Sequence, residues 1–194
     1  MTSAITLTNE IIARAESYDG IKAGVVPLKD VLEGRSYKAV SKDQKNTNKF
    51  ERGSIGSWPM MTQTVLVLGL KHPEDNPQLD YWDRGDTPGN RRLREISWSL
   101  EQWLKERYSL SAIPLAYLLE KGGLFLKDAA VLSGIGVIGR NNLLLHPEWG
   151  PRIRLRAMLM EGDFHGTDAL TGFDPCKTCE VFCQRTCPVK AFPD

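Results

Sequence analysis

Cysteine is scarce in this chain of 194 residues and absent from its first 175: the four that occur, Cys176, Cys179, Cys183 and Cys187, crowd one end. A disulfide framework spreads its half-cystines to staple distant segments, so this arrangement excludes the small secreted disulfide class. Histidine is rarer still, with three residues, and aromatic residues make up only 8%. No apolar run approaches the ~20 residues of a membrane-spanning helix; the longest, Leu110 to Leu119, is broken by Ser111 and Pro114. The opening residues lack the basic and apolar regions of a secretory signal, so the chain is expected in the cytoplasm and away from membranes. Net charge is short as well. The 25 Lys and Arg against 24 Asp and Glu leave +1, which gives no global attraction to nucleic acid or an anionic surface.

What is present is core material. Hydrophobic residues reach 41%, enough to offset the ordering entropy of a domain of this length. Apolar positions at Ile5, Leu7, Ile11, Ile12 and Ala15 predict an opening helix up to Tyr18, and Ile21 to Leu28 a short strand. Gly34 to Trp58, polar and poor in large apolar residues, is predicted as a long surface excursion. Thr64 to Leu70 is a continuous β-branched run, the pattern of a central strand covered on both faces. After the turn-rich stretch Lys71 to Asn90, Thr87 and Pro88 start a helix whose Leu93, Ile96, Leu100, Trp103 and Leu104 share one face. Ser111 to Leu119 reads as a second covered strand and Lys127 to Leu132 as a short helix. Arg152 to Met160 alternates, with Ile153, Leu155 and Ala157 opposite Arg152, Arg154 and Arg156. That arginine face predicts acidic partners within the fold or solvent, and less often a phosphate-bearing ligand. Alternating helices and strands predict an α/β fold, an α+β sandwich on one main sheet, over residues 1–170, with a metal-binding segment over 171–194.

The terminal segment has the spacing C-x2-C-x3-C-x3-C-P from Cys176 to Pro188. It differs from the bacterial ferredoxin run by one extra residue before the third cysteine. Two occupants are open: a [4Fe-4S] cluster, which the close spacing favours and in which either Cys187 or a non-cysteine ligand takes the fourth place, the first being favoured, or a structural zinc. Ser133 to Asn141 satisfies G-x-G-x-x-G, yet a helix precedes it and an extended segment follows, the reverse of a dinucleotide site. The glycines then serve a tight connection or the close approach of a flat cofactor. His72 and His146 each precede a proline and read as turn residues, and His165 as a loop residue.

The stretch Asp128 to Gly150, with the cysteine tail after it, resembles the A-G-L-G-W-I-G-K-N-x-L-L-I-x-P-x-x-G block and ferredoxin motif of the epoxyqueuosine reductases and reductive dehalogenases. The resemblance implies a nitroreductase-like sheet with a small ferredoxin-like iron-sulfur segment, and a cobalamin bound at Gly134, Gly136, Ile138, Gly139, Arg140 and Asn141. It implies a reductase acting on a small or nucleoside-like substrate and supplied by a low-potential ferredoxin or flavodoxin-like donor. By spacing, Glu120 falls where that family places its acid, which assigns it proton donation, although the Pro and Glu-Arg of the family's pattern are absent. One cluster motif instead of two, and no helical-repeat segment before Asp194, predict a shorter electron path and no grip on tRNA. The alternatives are a non-catalytic electron-transfer or corrinoid-handling protein, and a zinc-stapled flavin-binding domain.

Overall fold

The computed structural model describes residues 4–43, 58–59 and 61–192. Its strands are β1 (Ile21–Pro27), β2 (Thr62–Lys71), β3 (Ala112–Pro114), β4 (Val137–Ile138), β5 (Leu144–Leu145) and β6 (Ile153–Glu161). Its helices are α1 (Ala4–Glu16), α2 (Leu28–Leu32), α3 (Arg35–Asp43), α4 (Pro88–Tyr108), α5 (Leu126–Leu132) and α6 (Phe182–Arg185). Four strands make one antiparallel sheet in the order β1-β2-β6-β3, and β4 and β5 pair as a separate ribbon. The mixed α/β class is as expected. No neighbouring strands among the described residues run parallel, for a topological reason: β2 and β3 share a direction across α4, but β6 arrives later in the chain and inserts between them.

β2 and β6 pair from Lys71↔Ile153 to Thr62↔Glu161, and both are covered on each face. On one face Leu66, Leu68, Leu70, Met158 and Met160 meet Ile11 of α1 and Leu93, Leu100 and Leu104 of α4. On the other, Val65, Val67, Leu155, Ala157 and Leu159 meet Val31 of α2, Ala129 and Ala130 of α5, and Leu144 of β5. A buried leucine at such a site contributes about 1.5–3 kcal/mol, which is what fixes the period-two register of both strands.

Two expectations are corrected. Residues Arg35–Asp43 form α3 instead of the start of a surface excursion; the rest of that excursion, 44–57, lies outside the described residues. Its start is held from a distance, because Asp128 of α5 accepts hydrogen bonds from the Ser36 N–H and Oγ, both at 2.8 Å. Polar composition concealed a helix whose cap lies 92 residues away. The strand expected over Ser111 to Leu119 is only three residues long, because after Leu115, which donates to the Ala157 carbonyl, the chain leaves β6.

The start of α4 follows its sequence. Thr87 Oγ1 accepts from the Asn90 N–H at 3.2 Å, and Pro88 occupies the first turn. Asp86 adds to this cap: its carboxylate accepts from the Thr87 N–H (2.8 Å), Asn90 Nδ2 (2.6 Å) and Arg94 (3.0 Å). Burial pushes the Asp86 carboxyl up, but these donors outweigh it and hold it below its ordinary range. Asp86→Ala is expected to cost about 1–2 kcal/mol at neutral pH. A group with a depressed folded pKa stabilises above its unfolded value, near 3.9, and loses that effect as pH falls through the folded value. Urea unfolding of both proteins across pH 2–7 should therefore show their difference closing below about pH 4.

Candidate functional site

Where β3 leaves β6, the first half of β6 keeps β2 on one side and has no strand on the other among the described residues. A cavity of about 680 Å³ opens there. One wall is the chain from Tyr117 to Leu119 with Leu124 to Asp128; another is Pro73, Pro77 and Asp80; β6 supplies Ile153 to Leu155, and the ribbon supplies Leu143 and Leu144. Its volume falls in the range of small-molecule sites, roughly 300–1,000 Å³, and its lining mixes apolar side chains with polar ones, His72, Asp80, Arg152 and Arg154 on one side and Ser36, Lys127 and Asp128 on another. Tyr117, Leu118 and Leu143 at its mouth stay 48%, 42% and 48% exposed, a cluster of apolar surface beyond what a closed core requires.

The polar side was not legible as a site in the sequence. His72 is buried, and its Nδ1 lies 2.6 Å from Asp80 Oδ2; the other Asp80 oxygen accepts from Arg154 at 2.7 Å. Burial pushes the Asp80 carboxyl up, but hydrogen bonds and charge from His72 and Arg154 hold it below its ordinary range. His72 Nε2 and Arg154 Nε are buried without a partner among the described residues. Arg152 pairs with Glu74 at 2.6 Å, and Arg156 is buried and donates to Asn90 Oδ1 at 2.8 Å. Two of the three arginines thus meet carboxylates within the fold.

The block's glycines lie outside the larger cavity. Gly134 has φ +75°, and a Cβ there would lie 2.2 Å from the Asp168 carbonyl oxygen. A Cβ on Gly136 would meet the Leu145 carbonyl at 2.6 Å, and one on Gly139 the Leu145 side chain at 2.7 Å. These glycines stand in close contact with other parts of the chain. Asn141 Oδ1 accepts from the Leu143 N–H at 3.1 Å, which closes the turn between β4 and β5. His146 Nδ1 accepts from the Glu148 and Trp149 N–H groups at 3.1 and 3.3 Å, and burial pushes its pKa down. His165 is exposed in a loop.

Ile138 and Arg140 face the cysteine segment. They line a smaller cavity of about 300 Å³ with Phe173, Asp174 and Cys176, and the Arg140 N–H donates to Cys176 Sγ at 3.4 Å. All four cysteines are free thiols. Cys187 Sγ accepts from the Ala191 N–H at 3.4 Å, and that bond, with others from Val189 and Lys190, holds its thiol below the usual value despite desolvation. Among the described residues no three His, Cys, Asp or Glu side chains are gathered tightly enough to hold a metal ion. Glu120 lies in the 3-10 turn Leu119–Lys121, beside the cavity wall; its side chain is outside what the structure describes.

No family model and no curated protein matches the chain. Solved structures do. Epoxyqueuosine reductase from Bacillus subtilis superposes with a TM-score of 0.72 at 19% identity, over 98% of this chain and 54% of that one. The enzyme from Streptococcus thermophilus gives 0.71 at 19%, over 97% and 54%. A reductive dehalogenase described as acting by B12-dependent dehalogenation gives 0.66 at 17%, over 97% and 26%. The fold is shared, and it is the fold of the proteins that the glycine block and cysteine tail resemble. This chain spans about half the length of the reductases and about a quarter of the dehalogenase.

If the block's glycines serve the chain itself, substituting them must cost stability with no ligand present. Gly134→Ala combines a left-handed backbone with a backbone collision and is expected to lose about 2–3 kcal/mol. Gly85, with φ +78° and nothing within 4 Å of an added Cβ, is the control. Gly85→Ala should lose only about 1 kcal/mol in the same urea titration.

Proposed function

We propose that this chain is a reductase module in which an iron-sulfur cluster on the C-terminal segment, 171–194, serves a corrinoid held by the α/β domain, 1–170. The observation that carries the reading is the position of the β4–β5 ribbon. One strand contributes Ile138 to the cavity beside Cys176, while the other contributes Leu144 to the larger cavity. Paired strands lie about 5 Å apart, so the two places are separated by little more than one ribbon.

The residues suit both groups in their chemistry. Four reduced thiols on short loops, two of them accepting backbone N–H bonds, are the donors a [4Fe-4S] cluster takes, and holding one requires the loops to draw together from their positions in this structure. Cys176, Cys179, Cys183 and Cys187 would hold it. The larger cavity suits a flat macrocycle with polar side groups: Leu119, Leu124, Leu144 and Leu155 give it apolar surface, Tyr117, Leu118 and Leu143 stand at its mouth, and His72, Asp80, Arg152 and Arg154 line it with polar side chains. When bound, the cluster supplies single electrons at low potential and the corrinoid a strongly reducing cobalt. The chain's own part is to exclude water with Leu119, Leu124, Leu126 and Leu155, to fix the polar periphery with Arg152 and Arg154, and to deliver a proton from Glu120. Such a pair suits removal of an epoxide oxygen or a halide from a small or nucleoside-like substrate, with electrons from a ferredoxin or flavodoxin-like donor in the cytoplasm. The near-neutral charge speaks against tRNA as the partner.

A second reading, a carrier that passes electrons or corrinoid without turnover, is favoured by the incomplete match around Glu120. A third, zinc with a flavin, uses the same thiols and cavity. Anaerobic purification with Fe, sulfide, Zn and Co analysis, and visible spectra with and without added hydroxocobalamin, separates them. Equal Fe and sulfide, lost in Cys183→Ser, together with a corrinoid spectral change, is expected. Zinc without sulfide, or no spectral change, overturns the proposal. Turnover of epoxyqueuosine or an aryl halide under strong reductant excludes the carrier.

A further inference from the structure

The backbone of β6 carries a feature that the apolar walls of the larger cavity do not explain. In an antiparallel ladder alternate residues turn their N–H and C=O to opposite neighbours. The His72 N–H donates to the Arg152 carbonyl at 2.9 Å, which puts residues 152, 154 and 156 in the bonds to β2. The opposite set, 153, 155, 157 and 159, faces β3: Ile113 pairs with Leu159, and the Leu115 N–H donates to the Ala157 carbonyl at 3.0 Å. β3 ends there. Ile153 and Leu155 therefore direct two N–H donors and two carbonyl acceptors into the cavity, and no described residue bonds them. Leu155 is only 7% exposed. Backbone groups at such depth are nearly always paired, because each unpaired one costs about 1–3 kcal/mol.

Resting on the reading of this cavity as the cofactor site, we infer that the free edge of β6 at Ile153 and Leu155 is a hydrogen-bonding rail for carboxamide groups of the ligand. An amide offers a donor and an acceptor side by side, the complement of a strand edge. The open stretch of two outward residues is too short to pair an added strand of ordinary length, so a compact ligand with amides on its rim fits better than a peptide. The corrin periphery carries such carboxamides. The pyrimidine edge of a flavin presents the same N–H and C=O chemistry, and the experiment separates the two sources.

The readout is hydrogen exchange at the Leu155 amide of the full chain, titrated separately with hydroxocobalamin, with a corrinoid whose rim carboxamides are hydrolysed to carboxylates, and with FMN. Hydroxocobalamin is expected to slow exchange at Leu155, and to bind about tenfold more tightly than the carboxylate form. Leu155→Pro removes an N–H that the ladder with β2 does not use, as Pro114 already does on β3. It should weaken hydroxocobalamin binding about five- to tenfold relative to Leu155→Ala, which keeps the N–H and loses the side chain; this is the worth of about one hydrogen bond. Exchange in the unmutated chain decides the matter if the proline variant fails to fold. Hydroxocobalamin binding with Leu155 still unprotected overturns the rail and leaves the corrinoid reading standing. Protection by FMN alone supports the rail and overturns the corrinoid. Binding of neither overturns both.

Discussion

The pairing of β6 is the constraint on which the molecule depends. Over its whole length it takes β2 as a partner, and this ladder, covered by α1 and α4 on one face and by α2, α5 and the ribbon on the other, is the core. On its other side β6 is satisfied, among the described residues, only from Ala157 onward, because β3 turns away after Leu115. A sheet edge left open normally sits in solvent or is blunted by charge. Here the open half is roofed by the chain from Tyr117 to Leu126, so the same departure that shortens β3 creates a roomy space against unpaired backbone.

The arginines of β6 show how the opposite face of the strand is kept from destabilising the fold. Arg154 and Arg156 point to the α4 side of the sheet, where leucines and methionines would otherwise continue, and a buried guanidinium costs several kcal/mol unless its donors are met. Asp80 meets Arg154 and Asn90 meets Arg156, while Asp86 ties Asn90 and Arg94 into the start of α4. The burial that depresses Arg156 is reinforced by Arg94 and opposed by Asp86. The charged patch is therefore a joint between helix and sheet, and its carboxylates are positioned by the need of the arginines. Asp80 differs in that its other neighbour, His72, lies at the cavity wall.

Much of this frame could be read before the structure, and the reasons differ by element. The β2 run and the apolar stripe of α4, carried by Leu93, Ile96, Leu100 and Leu104, are long, strongly periodic and buried, so local pattern and tertiary need agree. The α4 cap was legible because Thr87 and Pro88 act within one turn. α3 was not, since its cap is a carboxylate from α5. The sense of the sheet was hidden by the late insertion of β6, a matter of topology that no local pattern records. The larger cavity was hidden for a similar reason: separated stretches of the chain line it, and only Asp128, Leu143 and Leu144 among its lining belong to the glycine block. His72 looked like a residue ahead of a proline, and only the fold brings Asp80 and Arg154 to it.

The glycine block left two readings open, a tight connection or the close approach of a flat cofactor, and in the fold Gly136 and Gly139 let β4 and the turn after it press against Leu145. The consequence is a thin ribbon. With any side chain at 136 the strands would part by at least the overlap with the Leu145 carbonyl, and Ile138 and Leu144 would be carried away from each other. A thin ribbon lets one face touch the cysteine segment through Ile138 and Arg140 while the other closes the larger cavity through Leu143 and Leu144. The glycines therefore need not touch a ligand to matter for one: by bringing the two strands together they set how close the two cavities lie, and any chemistry linking those cavities must cross what the glycines keep narrow.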